Sequence, residues 1–341
     1  MSDEKGITAT TGPASGLRVY SETSLAIVVF LALAALPLLV SGYTIYILPQ
    51  YLTYGMLAMS LGILWGFAGL LSFGQAAFFT LGAYAMGLAA NWEIGSNPAY
   101  AGLVASIIIG AGLASLIGYF LFSVGVRQLF FVLVTLALSI IVEQITVSQS
   151  EYTGGYNGMF VPRVSLSLGA HEIDLSGDAA IYYFVLPIAA AVYVLLRWLL
   201  GSRFGKVLVG IRENEERVLS LGFNISIYKT TVFAVSGAVA CLAGALYGTH
   251  ANFVSPSLAG VLFSTQVVVW VAIGGRESLL GALLGAVGVS ALSNYLTAVI
   301  PNYWQLVLGI VFVLVIVGFK GGLAGAIGRV FDRAKNEAGH G

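Results

Sequence analysis

The sequence predicts an all-α integral membrane protein of about ten transmembrane helices, with both termini cytoplasmic. Three observations carry this. From Thr23 to Trp92 the chain runs 70 residues without an Asp, Glu, Lys or Arg, and Thr230–Gly275 and Ser278–Phe319 also lack them. Such ion-free apolar length suits a chain whose solvent is lipid. Charged residues make up 9% of the 341 and hydrophobic ones 58%, against about a quarter charged in a soluble domain. Finally, Lys and Arg collect on alternate connections between the apolar stretches. The formal net charge is zero, so no basic field points to nucleic acid.

The polar start, residues 1–22, contains Asp3, Glu4, Lys5 and Arg18 and lacks a signal-peptide core; it is expected to stay inside. A helical span needs about 20 apolar residues, and the transmembrane region 23–325 offers ten candidates: Ser24–Val40, Tyr43–Phe67, Leu70–Ala90, Tyr100–Phe122, Leu129–Gln149, Ala180–Leu200, Tyr228–Thr249, Val261–Ile273, Leu279–Val299 and Tyr303–Phe319. The third is crossed by small and polar residues and the eighth is short, so either is a candidate for a broken or re-entrant span, which is tolerated only where protein or water covers the backbone. Alternation from an inside N-terminus puts Arg127, the 201–227 loop with Arg203, Lys206, Arg212 and Arg217, then Arg276, then Lys320, Arg329, Arg333 and Lys335 on the inside. Glu93, Glu151, Arg163, Glu172, Asp174 and Asp178 fall outside. Dropping one span would put the basic tail, 326–341, outside; dropping two, to eight, would keep the parity. The long polar segment 150–177 separates five spans from five. Each half has an early span rich in small residues, Ser72–Ala90 and Ser236–Gly248, a faint echo of the internal repeats of transporters.

The longest inside loop, Gly201–Ile227, reads GSRFGKVLVGIRENEERVLSLGFNISI. Arg212–Leu221 is expected to form a short amphipathic helix with Val218, Leu219 and Leu221 as its apolar side, ended by Gly222. It suits either the headgroup surface or the groove of a soluble partner. Glu213, Glu215 and Glu216 argue against the former.

From Ser202 to Pro256 the chain resembles the permease subunits of the branched-chain amino acid and urea (short amide) family of ABC importers. The likeness continues through VWVAIGGRESLLG at 269–281, Pro301–Trp304 and Gly321–Gly325, and it is already present in LLSFGQAAFFTLGAYAMG at 70–87 and YTGGYNG at 152–158. The resemblance implies the type II ABC importer permease fold, in which the loop helix is the coupling helix that enters a groove on an ATPase subunit. Arg212, Glu213, Glu215, Glu216, Arg217, Leu219 and Gly222 are the expected coupling residues, with Glu216 and Gly222 matching the family's acidic-residue-to-glycine pattern. The implied partners are two ATPase subunits, an extracytoplasmic binding protein and a second homologous permease, in a bacterial inner membrane. No cofactor is implied.

The chain has no G-x-x-x-x-G-K-[ST] phosphate loop and no catalytic constellation. The single Cys241 excludes an intrachain disulfide, and the three histidines have no metal-ligand spacing. ATP hydrolysis would have to come from separate chains, and the protein reads as a transport subunit rather than an enzyme. A secondary ion-coupled carrier, or a passive channel, is the rival. Secondary carriers place an ionisable side chain near the midplane, and Glu143, near the outer end of its span, is the one candidate.

Candidate pathway residues are Gln75, Thr80, Tyr84, Thr135, Ser139, Glu143, Tyr156 and Asn157. Gln75 is costly facing lipid, so it lines a pathway or glues helices together. Thr135, Ser139 and Glu143 form a polar stripe at spacing four, which equally suits lining or packing. The TGGYNG turn at 153–158 gates the outer mouth, meets a binding protein, or is a plain turn. The absence of buried charge fits a small, polar, net-neutral cargo, and the VWVAIGGR and FFTLGAYAMG segments resemble urea-type permeases more than amino acid ones.

Overall fold

The computed structural model describes residues 14–310, except 41, 96, 127, 163–165, 169, 170, 174–176, 302, 304, 305 and 308. The tail before residue 14, Arg127, Arg163, Asp174, most of the tenth expected span and the basic C-terminal tail lie outside these residues. Helix α1 (Ala14–Leu39) belongs to a first compact unit that ends at Ser41. It holds the apolar stretch Thr23–Leu39, with Pro37 in its last turn.

The second unit begins at Gly42. Its helices are α2 (Tyr43–Gly62), continued by a π turn at Ile63–Phe67, α3 (Gln75–Asn91), α4 (Pro98–Ser123), α5 (Gln128–Ser148) and a single turn, α6 (Ser150–Thr153). After the central loop come α7 (Asp178–Gly201), α8 (Arg203–Glu213), α9 (Glu215–Ser220), α10 (Ile225–Ala251), α11 (Val261–Gly274) and α12 (Leu279–Val299). Six of the described segments are long and apolar enough to cross a membrane: Tyr43–Phe67, α4, α5, α7, α10 and α12. At 1.5 Å per residue even the shortest of these matches the roughly 30 Å hydrocarbon core.

The starts of these helices follow from local chemistry. The Asn97 side chain accepts from Ala99 N at 2.9 Å, and Pro98 occupies the first helical position of α4. Asn224 caps α10 by accepting from Ile227 N, and Ser278 caps α12 by accepting from Gly281 N.

Packing puts α2 and α10 in the middle. In the most apolar 18 residues of the span Tyr43–Phe67, 83% are buried, and in those of α10, 67%, whereas in those of α4 only 22% are. On α4 the residues Gly102, Ser106, Gly110, Ala114 and Gly118 recur at spacing four, and all are buried. This narrow small-residue ridge packs on α10 and α3, while Val104, Ile108, Leu116 and Phe120 are exposed on the remaining face. The two small-residue segments noted in the sequence pack directly on each other. A Cβ on Gly82 of α3 would collide with the Cys241 carbonyl, and one on Gly244 of α10 with the Phe79 carbonyl. The two backbones therefore touch.

Two expectations need correction. The third span does not begin at Leu70: residues 68–74 are not helical, and the helix starts at Gln75. The cause lies just upstream. The π turn ends α2, Ala68 N and Leu70 N both bond to the Leu64 carbonyl, and Gly69, at φ +72°, turns the chain. The eighth span, α11, has 14 residues, about 21 Å by helix rise, too short to cross alone. The connections also contain short strands. Strand β1 (Met159–Phe160) pairs antiparallel with β4 (Phe253–Val254), and β2 (Leu166–Leu168) pairs with β3 (His171–Ile173). The β1–β4 ribbon ties the segment after α5 to the segment after α10, and Asn91 Nδ2 at the end of α3 donates to the Phe160 carbonyl at 3.0 Å.

Candidate functional site

The interruption between α2 and α3 gathers much of the buried polarity. Several of its backbone groups lie outside the regular helix ladders, and side chains satisfy them. Thr135 Oγ1 accepts from Phe73 N at 3.1 Å, and Ser139 Oγ donates to the Phe73 carbonyl at 2.8 Å. Gln128 Nε2 donates to the Gly69 carbonyl. Ser264 of α11 donates to Ser139 at 3.3 Å. On the other side, Ser60 of α2 donates to Gln75 Oε1 at 2.9 Å, and Ser236 of α10 donates to the Ser60 carbonyl at 2.5 Å. Gln75 Nε2 is buried with no hydrogen-bond partner.

Of the candidate pathway residues, Gln75, Thr135 and Ser139 thus converge on this one segment, where they clamp it. Thr80 turns inward and bonds the Ala76 carbonyl of its own helix. Tyr84 lies in a separate apolar cluster with Met86, Ala90, Val161 and Val254, its hydroxyl unpartnered. Glu143 is half-buried, its carboxylate beside Gly260, the residue that starts α11: a Cβ there would lie 3.6 Å from both oxygens. A carboxylate at a helix N-terminus is stabilised by the helix dipole. Tyr156 and Asn157 stand exposed on the turn before β1, where Gly154, Gly155 and Gly158 all have positive φ.

An aromatic cluster escaped the sequence reading. The Tyr54 ring lies 4.9 Å from Trp270, 5.5 Å from Phe263, 5.9 Å from Tyr247 and 6.1 Å from Phe79, centroid to centroid, and Gln50 Nε2 donates to the Tyr54 hydroxyl at 2.8 Å. Four helices meet here, α2, α3, α10 and α11. In sequence these aromatics are scattered through separate apolar runs, with nothing to link them.

The inside loop departs from the single helix expected over Arg212–Leu221. It breaks at Asn214, whose backbone is extended (φ −156°, ψ 100°) and whose side chain accepts from Arg217 N at 2.9 Å to start α9. Arg212 and Glu213 therefore end α8 instead. Glu215 and Glu216 fall in the first turn of α9, where the helix dipole favours them, and Gly222 closes it at φ +85°. The expected apolar side splits. Val218 is buried against Ile211 and Ile225, whereas Leu219 is 61% and Leu221 70% exposed.

Glu215, itself exposed, receives the buried Lys229 Nζ at 2.8 Å on both oxygens. Arg212 turns inward, donating to the Gly66 carbonyl and to Glu277 Oε1. Glu213, Glu216, Arg217 and Leu219 are exposed. Beside α9 a cavity of about 470 Å³ is lined by Phe122, Val126, Leu219, Phe223 and Lys229.

Comparison with known proteins agrees with this architecture. The family model described as the permease component of a branched-chain amino acid transport system matches residues 43–316. The chain is 29% identical to the high-affinity branched-chain amino acid transport system permease protein LivM of Escherichia coli (strain K12), over 94% of this chain and 80% of the relative. It is 27% identical to the probable LivM of Methanocaldococcus jannaschii, over 68% of this chain and 75% of the relative. The ribose import permease protein RbsC of Bacillus subtilis is 26% identical over 40% of this chain and 46% of its own length. No solved structure matches the chain significantly. These relatives are transport permeases rather than enzymes, and with several apolar helices the chain is a multi-pass protein of the bacterial inner membrane. With 43–316 matched, the chain belongs to the family of branched-chain amino acid transport permease components.

Proposed function

We propose that this chain is one of two homologous permease subunits of an ATP-driven importer, working with two ATPase subunits and an extracytoplasmic binding protein. Ten helical segments lie in the membrane, the short α11 among them, both termini are in the cytoplasm, and the chain carries a small, net-neutral, polar solute inward. The cargo is a branched-chain amino acid. Urea, favoured by the likeness of two short segments, finds no support among the relatives, whose names give branched-chain amino acids, autoinducer 2 and ribose.

The observation that carries the reading is the form of α9. It is a six-residue helix with a cap at each end, and it presents Leu219 and Leu221 beside exposed Glu216 and Arg217. Exposed leucines ringed by charge suit the groove of a soluble partner, with the apolar contacts central and the charges at the rim. Glu213, Glu216, Arg217 and Leu219 are the contact residues, Gly222 shapes the helix end, and Glu215 holds the helix to the membrane domain. On this reading Glu143 serves the N-terminal end of α11, where the helix dipole favours a carboxylate, rather than ion coupling.

Co-purification tests the docking. Glu216→Lys with Leu219→Glu should release the ATPase subunits while the permease still inserts, since docking energy concentrates in few residues. Undiminished co-purification and uptake would assign α9 to the membrane surface instead.

A further inference from the structure

Arg212 ends α8 and does not point toward a soluble partner. Its guanidinium donates from Nη1 to the carbonyl of Gly66, inside the π turn that ends α2, and to Glu277 Oε1 at 3.1 Å, in the turn between α11 and α12. The Gly66 carbonyl is among those a helix end leaves without a ladder partner, and a cation is favoured there.

The two glycines of this region fit it closely. A Cβ on Gly66 would collide with the Arg276 carbonyl, so the π turn lies directly on the 276–277 turn. A Cβ on Gly69, at φ +72°, would lie 3.0 Å from the Arg212 Cγ. Arg212 thus fills the point where three interruptions of the membrane helices meet: the π turn, the start of the non-helical stretch 68–74, and the α11–α12 turn.

That stretch is held further along by Thr135 and Ser139 of α5, and Ser139 in turn receives Ser264 of α11. Behind Arg212 lies the short loop segment that carries α9, separated from α8 by the single extended residue Asn214.

We propose that Arg212 is the positioning residue that passes movement of the coupling segment to the 63–74 interruption, so that displacing α9 shifts the broken α2–α3 junction and, with it, α5 and α11. This rests on the reading of the chain as an ATP-driven permease. The ion pair with Glu277 is partly solvated, with side-chain exposures of 29% for Arg212 and 63% for Glu277; such pairs add little stability. Removing Arg212 should therefore affect coupling more than folding.

The test reconstitutes the permease pair, ATPase and binding protein in liposomes and measures leucine uptake and ATP hydrolysis together. Wild type, Arg212→Ala, Arg212→Lys and Glu277→Gln are compared. For Arg212→Ala, leucine moved per ATP hydrolysed should fall severalfold, while ATPase subunits still co-purify. Arg212→Lys, which keeps the charge but not the fork, should fall between Ala and wild type, and Glu277→Gln should lower the ratio less than Arg212→Ala. An unchanged transport-to-hydrolysis ratio in both Arg212→Ala and Glu277→Gln, with wild-type uptake intact, overturns the proposal alone. Loss of ATPase co-purification with an unchanged ratio in the remaining complexes would make Arg212 a docking residue, which also overturns it. If Arg212→Ala fails to insert, the Glu277→Gln ratio decides. A wild-type complex with no ATP-dependent uptake would remove the underlying functional reading instead.

Discussion

Both carboxylate oxygens of Glu215 lie 2.8 Å from the Lys229 ammonium, and this pair fastens the short helix α9 to the first turns of α10. The two partners are unequal. The Lys229 side chain is 10% exposed and that of Glu215 53%, and the Lys229 ammonium also stands 5.8 Å from the centre of the Phe122 ring. Removing Glu215 leaves a buried cation without a counter-charge, whereas removing Lys229 leaves a carboxylate that water can reach.

Glu215→Ala is therefore expected to lower the stability of the purified permease by about 1–3 kcal/mol, and Lys229→Met by less than about 1 kcal/mol. Thermal unfolding in detergent checks the order. The double variant should be closer to Lys229→Met than the sum of the single effects, because both changes act on one contact.

Thr135 and Ser139 hydrogen-bond the backbone of Phe73, which gives them a structural role in holding the interruption. Thr135→Val keeps the shape and leaves Phe73 N–H unpaired, at a cost of about 1–3 kcal/mol. The expected result is lower thermal stability with the transporter's KM for cargo unchanged. A raised KM with unchanged stability would put the stripe in the pathway.

The contact of α3 with α10 permits no side chain at its closest points. Gly82→Leu and Gly244→Leu should each prevent a stable fold, by more than the roughly 1–3 kcal/mol typical of overpacking, because the obstruction in both is a backbone carbonyl. Gly112→Ala, on α4 with nothing within 4 Å of the added carbon, should be neutral. Membrane insertion and monodispersity in detergent read the difference.

What the sequence made legible was governed by solvent. Long apolar runs gave the bounds of Tyr43–Phe67, α4, α5, α7, α10 and α12 to within a few residues, because lipid demands that length; the isolated charges Glu143, Arg197 and Lys229 did not break the pattern. The Gly, Ser and Gln content of 72–75 marked the third span as doubtful, but not where the helix starts, since that depends on the π turn and on side chains of α5 far away in sequence. The split at Asn214 had a local signal that helix propensity masked: an Asn followed by Glu215 and Glu216 is an N-cap with an acidic first turn. The pairs Ser60–Gln75, Glu215–Lys229 and Arg212–Glu277 join residues 15, 14 and 65 apart in sequence, and no periodicity reports such contacts. The preference for urea finds no support among the relatives, and the sequence could not decide it: neutral hydrogen-bonding groups suit urea and zwitterionic amino acids alike.

The central claim is that ATP, through separate subunits, drives inward movement of a branched-chain amino acid by this chain. Proteoliposomes containing the permease pair, ATPase subunits and binding protein, loaded with ATP on the ATPase side, test it most directly. The account predicts saturable leucine uptake that requires ATP hydrolysis and the binding protein, with no competition by urea. Leucine uptake by this chain alone, driven by a Na⁺ or H⁺ gradient and indifferent to ATP, would contradict it.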